Sequence, residues 1–400
     1  MAGIYLHIPF CNSKCIYCGF YSVVSKDLRN KFIPALKREI LGRRNFFSSL
    51  YTSDRLVKTL YIGGGTPSVL DASILKEAIS LLRDEFSFPA AAFQTDNPDE
   101  FEFTVEVNPD DITPDYAHSL RQLGVNRVSM GVQSFQDTHL KWMCRRHTSL
   151  QAVEAFNTLR CAGFRNISLD LIFGFPLMTE IEWADNLDKV VSLGPEHISA
   201  YQLGIDPGTP LERLAEKGRF SLPGDETCEK MYKTLQSRLA EAGYFQYEVS
   251  NFCLKAPSSD NQEHFKDYRS RHNSSYWKRI PYLGLGPGAH SFIGRHREWN
   301  FSNVASYCSP DIVEIREGES LSPEDIFNEI LMLGLRTADG AALEDLRQSS
   351  PQSSLFISDL LPKVHHFQQS GLISIDKAGA IKIPPEHFFI SDGIIRDLFV

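Results

Sequence analysis

Cys11, Cys15 and Cys18 form a CxxxCxxC run, Cys-Asn-Ser-Lys-Cys-Ile-Tyr-Cys, close to the start of a 400-residue chain. Three thiolates this close together can hold three irons of a cubane iron–sulfur cluster and leave the fourth iron without a protein ligand. An iron with a vacant position can bind and reduce a small molecule, so the spacing suits chemistry rather than electron storage alone. Two other readings compete. Zinc prefers four ligands, but the next cysteine is Cys144, and His7, upstream of Cys11, lies outside the usual ligand-pair patterns. A structural disulfide would suit a secreted chain, and the N-terminus shows no basic-then-apolar signal. The residues favour the cluster.

Such a loop needs a rigid frame. Apolar runs at 4–8, 59–62, 103–107, 127–131, 168–173 and 197–202 read as strands, and helical patterns at 28–41, 73–86, 114–123, 150–163 and 181–193 lie between them. Asp71 and Thr113 precede helices, while Gly124, Gly163 and Gly194 follow them. Strand–helix alternation with strands apolar on both faces predicts a parallel α/β sheet. Six units are too few to close an eight-stranded barrel, so the expected fold is an open, partial (β/α)6 barrel. Its loop chemistry should gather at the C-terminal ends of the strands, where the cysteine loop follows the first of them.

Other candidates sit at those ends. Gly63-Gly64-Gly65-Thr66-Pro67 follows the second strand and lacks both the Lys-Ser/Thr of a phosphate loop and the GxGxxG spacing. It reads as a close backbone approach to a ligand, with amides free for a carboxylate or amine, or else as a plain tight turn. Glu106 closes the third strand, Gln133 lies just past the fourth, and Asp170 lies within the fifth. Singly, each suits a cap or a satisfied surface group; converging on one rim, they suit ligand contacts. Phe10, Tyr17, Phe20 and Tyr21 offer aromatic surface to pack the cysteine loop and keep water out.

Composition excludes several classes. With 42% apolar and 23% charged residues the chain has the make-up of a soluble globular enzyme. A net charge of −9 without a Lys/Arg-rich run argues against nucleic acid, and there is no run of 18 apolar residues to span a membrane. Cys144, Cys161, Cys228, Cys253 and Cys308 are scattered singly, as packing thiols of a reducing cytoplasm are. The polar stretch 257–271 reads as an exposed connection, and 280–292 as a return to the core. Beyond about residue 310, helices at 322–333, 343–346 and 355–370 lead into a two-strand element at 372–383. This suggests a small winged-helix-like unit, too weakly basic for DNA and better suited as a lid or partner-docking surface. The expected division is a core domain over 1–250, a connection that completes the barrel over 251–309, and a C-terminal domain over 310–400.

Tyr-Leu-His-Ile-Pro-Phe-Cys-Asn-Ser-Lys-Cys-Ile-Tyr-Cys-Gly-Phe-Tyr-Ser at 5–22, the Gly-Gly-Gly-Thr-Pro loop and the Val-Glu-Val-Asn-Pro strand end resemble radical S-adenosylmethionine proteins. More narrowly, the chain resembles the oxygen-independent coproporphyrinogen oxidase group. That likeness runs through Gly131-Val-Gln133-Ser-Phe135, Leu169-Asp170-Leu-Ile-Phe-Gly174-Phe-Pro176 and Gly284-Leu-Gly286-Pro-Gly-Ala-His290. It implies a [4Fe–4S] cluster on Cys11, Cys15 and Cys18, with S-adenosylmethionine chelated to the open iron. Tyr5, Gly64, Gly65, Thr66, Glu106, Gln133, Arg145, Asp170 and Gly204 match family positions that contact this cofactor. Arg145 is assigned by spacing within Met143-Cys-Arg145-Arg-His147, where the family usually shows Leu-Gly-Arg-x-His, so Arg146 is an alternative.

Two branches of the group divide here. The porphyrinogen decarboxylases carry a further cysteine two residues after the third, where this chain has Phe20. The HemW-type haem chaperones show CxxxCxxCxF and an HNxxYW motif, matched by His272-Asn273-Ser274-Ser275-Tyr276-Trp277. That resemblance implies haem held through His272, with Tyr276 and Trp277 as flat apolar surface; packing between domains is the other use of the two rings. A histidine in a polar loop should lose haem affinity as pH falls below about 6.5. The implied partners are haem, a haem-acceptor protein of respiratory type, a reductase or flavodoxin-like electron donor and a second copy of the chain. The competing function is oxygen-independent coproporphyrinogen III dehydrogenation at propionate side chains.

Overall fold

The computed structural model describes residues 2–256, 266–311 and 315–400. The six expected strands form β1 (Ala2–Ile8), β2 (Val57–Gly64), β3 (Glu102–Val107), β4 (Arg127–Gln133), β5 (Ile167–Phe173) and β6 (His197–Gln202). All five successive pairings are parallel. β1 to β5 are buried along nearly their whole lengths, which is why they read as continuous apolar runs rather than alternating ones.

The intervening helices, Arg29–Arg43, Ala72–Glu85, Pro114–Gln122, Ser149–Cys161 and Glu180–Leu193, are delimited locally. Thr148 and Thr179 start two of them with capping boxes to Gln151 and Glu182. Gly194 ends the last in the left-handed conformation, with φ of 65°.

The sheet stays open but is wider than six strands. On the β1 side, Tyr282–Leu285 adds in parallel, followed by antiparallel His290–Ile293, His296–Asn300 and Arg316–Ser320. On the β6 side, Asn251–Ala256 and then Tyr244–Gln246 add antiparallel. These flanking strands were not expected, apart from the apolar return at 280–292. Helices Pro210–Glu216 and Asp225–Glu241 were also missed.

Of the connection expected at 257–271, residues 257–265 lie outside the described residues. Its end departs from the expected loop: Arg271–Trp277 is a helix. Ser270 caps it by accepting from the Asn273 N–H, and the buried Glu102 carboxylate accepts from the N–H groups of Arg271 and His272, both at 2.9 Å. The cap is therefore partly tertiary.

The C-terminal unit has helices Pro323–Leu335, Leu343–Gln348 and Ser353–Gln369 around Phe327, Leu331, Leu360 and Ile381. The expected two-strand element, Ser374–Ile375 with Ala380–Lys382, gains a third strand, Ala341–Ala342. Helix Ser391–Leu398 closes the unit. It is tied to the barrel by the Val249 N–H to the Arg336 carbonyl, the Ala338 N–H to the Tyr247 carbonyl, and the Arg279–Glu329 ion pair.

Candidate functional site

The loop after β1 brings Cys11, Cys15 and Cys18 to one cavity of about 50 Å³ at the C-terminal ends of the strands, lined also by Thr66, Asn108 and Arg145. Cys11 is buried and its Sγ lies 3.4 Å from Thr66 Oγ1. Arg145 Nη1 donates to Cys15 Sγ at 3.6 Å. Burial pushes the Cys18 thiol up to about 11, and the nearby Cys15 and Cys11 sulfurs add to the rise. A bound cation is what holds such thiols as thiolates.

All eight cysteines are free thiols. Among the described residues, no three His, Cys, Asp or Glu side chains form a one-ion site. His7 is tied at both ring nitrogens, to the Tyr5 hydroxyl at 3.0 Å and the Tyr21 carbonyl at 2.9 Å. Three thiols around one cavity fit a multi-iron cluster. Cys144, expected to pack, is instead exposed at the cavity's rim, with φ of 58°.

The glycine loop sits against the cysteine loop, but its amides are not free as expected. Gly64 N–H goes to Glu106, Gly65 N–H to the Ile8 carbonyl and Thr66 N–H to the Phe10 carbonyl. The close approach that glycine permits is to the chain itself: a Cβ at Gly65 would stand 2.7 Å from the Phe10 carbonyl oxygen. Two of the three donors thus go to carbonyls at and just past the end of β1, and the third to a carboxylate.

Glu106 accepts from the Tyr61 hydroxyl at 2.7 Å and from Gly64 N–H at 3.0 Å. Burial lifts its carboxyl to about 7, so a cation arriving there would meet a group that ionises close to neutrality. Asp170, pushed up by burial, accepts from Ser129 and Ser168, each at 3.2 Å. Gln133 follows a bulge in β4 and holds a left-handed φ of 66°, uncommon outside glycine and concentrated at functional sites.

Arg145 and Arg146 separate cleanly. Arg145 reaches Cys15, Asn108 Oδ1 at 2.8 Å and the Gly131 carbonyl, whereas Arg146 pairs with Asp110 and Asp111. In the sequence Asn108 stands out only as part of the Val-Glu-Val-Asn-Pro stretch that closes the third strand's apolar run. It also donates to Thr66 Oγ1 at 3.2 Å, so it joins the glycine loop to Arg145; its place beside Pro109 just past Glu106 was the available signal. Gly204 has no atom within 4 Å of where a Cβ would stand, so packing does not require glycine there.

Of the four aromatics expected over the loop, Phe10 is buried and Tyr17 and Tyr21 are partly buried, but Phe20 is 71% exposed and excludes no water. The described residues that line the cysteine cavity run no further along the chain than Arg146.

His272 is far from the polar loop residue expected. Its ring is 1% exposed, with Nδ1 2.8 Å from Thr59 Oγ1 and Nε2 2.7 Å from the Tyr276 hydroxyl, and it packs on Tyr5 and Tyr61. Burial, reinforced by the Arg127 charge, lowers its pKa to about 3. Tyr276 packs edge-on against Tyr282. Trp277 turns the other way, half-buried on a separate, larger cavity. The motif is thus divided between the barrel interior and that cavity, and Tyr5 links its inner half to His7 beneath the cysteine loop.

Residues 5–190 match the Radical SAM superfamily model, and residues 321–380 the HemN C-terminal domain. The heme chaperone HemW of Bacillus subtilis (strain 168) is 33% identical over 381 residues, covering 93% of each chain. A protein of the same name from Mycobacterium tuberculosis (strain ATCC 25618 / H37Rv) is 32% identical, covering 88% of this chain and 84% of its own. The mitochondrial radical S-adenosyl methionine domain-containing protein 1 of Bos taurus is 30% identical, covering 99% of this chain and 87% of its own. Coproporphyrinogen III oxidase (HemN) from Escherichia coli superposes with a TM-score of 0.79 at 23% identity, over 100% of this chain and 90% of that one, and so shares the fold. The cysteine loop, the matched core and terminal domains, and relatives alike over nearly their full lengths place this chain in the HemW-type branch of the radical SAM, coproporphyrinogen-oxidase-like family.

Proposed function

We propose that this protein is a haem chaperone, which takes up haem through the 272–277 segment and passes it to a haem-requiring acceptor, of respiratory type, in the cytoplasm. The observation that carries this reading is near full-length similarity to proteins named heme chaperones, and the His272, Tyr276 and Trp277 motif in the sequence supports it. Cys11, Cys15 and Cys18 would hold a [4Fe–4S] cluster, with S-adenosylmethionine beside it among Tyr5, Gly64, Gly65, Thr66, Glu106, Gln133, Arg145, Asp170 and Gly204. When bound, this pair supplies one-electron cleavage of a carbon–sulfur bond, fed by a reductase or flavodoxin-like donor.

The chain's own residues do the positioning. Asn108 and the Gly131 carbonyl hold Arg145 against Cys15. Tyr61 and Gly64 fix the Glu106 carboxyl toward the barrel interior. For His272 to take iron it must release Thr59 or Tyr276, so uptake couples to rearrangement of the barrel interior. We assign three parts to this work: 1–250 for the cluster, 251–309 for haem and closure of the sheet edge, and 310–400 for docking, with a homodimer as the working unit.

Haem titration followed at the Soret band should saturate, and mixing the loaded protein with an apo-haemoprotein should move the Soret spectrum to that of the acceptor. Saturation without transfer to any haem-requiring acceptor, or no saturation at all, contradicts the reading.

A further inference from the structure

The larger cavity, about 720 Å³, lies at the end of the barrel opposite the cysteine loop, where β1 and β2 begin. Helix Arg271–Trp277 forms one wall with Ser274 and Trp277, and the C-terminal unit forms the facing wall with Ile330, Gly334 and Ala342. Its volume is that of a small-molecule site, within the usual ~300–1,000 Å³.

We propose that this interdomain cavity is the seat of the porphyrin macrocycle, a proposal that rests on the haem reading above. Three observations support it. Within a lining that also carries charged side chains, the half-buried Trp277 indole, Ile280, Ile330, Gly334 and Ala342 supply apolar surface suited to a flat ring. The Trp277 indole N–H is buried without a hydrogen-bond partner among the described residues, a cost that a polar ligand edge would relieve.

The third observation concerns charge and iron. Arg271 and Arg269 line the cavity paired with Asp99 and with Asp267 and Asp339. Guanidiniums at such a rim can exchange an exposed aspartate for a propionate, because both carboxylates offer the same fork. No His, Cys or Met is among the described lining residues. Thr59, however, belongs to the wall and holds His272 from behind through a 2.8 Å bond. The ring is therefore gripped by the walls, and the iron reaches His272 only when that bond opens.

Metal-free protoporphyrin IX probes the walls without the iron bond. The wild-type, cluster-loaded protein should bind both protoporphyrin IX and haem in absorbance titrations. Ala342→Trp, which fills the slot from the C-terminal wall, should weaken both by roughly tenfold or more with the cluster absorbance unchanged. Should that variant lose its fold by circular dichroism, Ser274→Trp from the helix wall gives the same reading.

Wild-type affinity for both porphyrins in the filled variants would place the macrocycle elsewhere and leave the haem reading standing. Binding of haem but not of protoporphyrin IX would assign retention to the iron bond and overturn the cavity. Binding of neither would remove the haem reading and this proposal with it.

Discussion

Alanine at Cys11, Cys15 or Cys18 is expected to abolish the broad absorbance near ~400 nm of the reconstituted protein. Each thiol faces the same cavity, and a cubane missing one of three protein ligands leaves a second iron open to solvent. The effect should be close to total for each of the three. Cys144→Ala is the sharp control, because that exposed thiol stands at the cavity's rim. Retention of the band in Cys144→Ala together with its loss in Cys15→Ala fits three ligands. Loss in both, or survival in Cys15→Ala, contradicts the assignment.

His272→Ala should lose the Soret shift on haem titration and also lower stability. It deletes a buried ring and strands the Thr59 and Tyr276 hydroxyls, a cost of about 2–4 kcal/mol. His272→Asn keeps a polar atom near the Nδ1 position. It should therefore recover part of the thermal midpoint without recovering the Soret shift, which separates ligation from packing.

The pH dependence has a definite sign. The native imidazole is held neutral down to about 3, whereas an unfolded histidine protonates near 6.5. Its contribution to stability is complete above about 6.5 and drains away as pH falls from there toward 3. Haem affinity, referred to the folded protein, should stay flat with respect to this residue between pH 7 and 5. That replaces the decline below about 6.5 expected for an exposed histidine. A midpoint near ~6.5 in the wild-type haem titration would contradict this burial of the ring in the haem-free protein.

Much of the barrel was legible because its strands are buried on both faces, which writes them as apolar runs such as 59–62 and 168–173. The flanking strands lack that signature. Arg316–Ser320, Arg-Glu-Gly-Glu-Ser, is charged and largely exposed, as befits an edge. Helix Arg271–Trp277 is polar and short, and half of its N-terminal support is Glu102, which only the fold brings near.

At the site, cysteine spacing is a local property and could be read directly. That Arg145 reaches Cys15 while Arg146 turns to Asp110 and Asp111 depends on Asn108 and Gly131 across the rim. The occupied amides of Gly64–Thr66 depend on where β1 ends. Neither is a property of any short stretch of sequence. His272 shows the same limit: its neighbours in sequence are polar, and its neighbours in space are Tyr5, Tyr61 and Thr59.

A haem chaperone on a scaffold shared with coproporphyrinogen III oxidase should carry the porphyrin rather than convert its precursor. The most direct test is to incubate the reconstituted, reduced protein with S-adenosylmethionine and coproporphyrinogen III and to assay protoporphyrinogen by chromatography. The account predicts no product above the cluster-free control. Product accumulating beyond one equivalent per protein would contradict it and identify the chain as a porphyrinogen-oxidising enzyme.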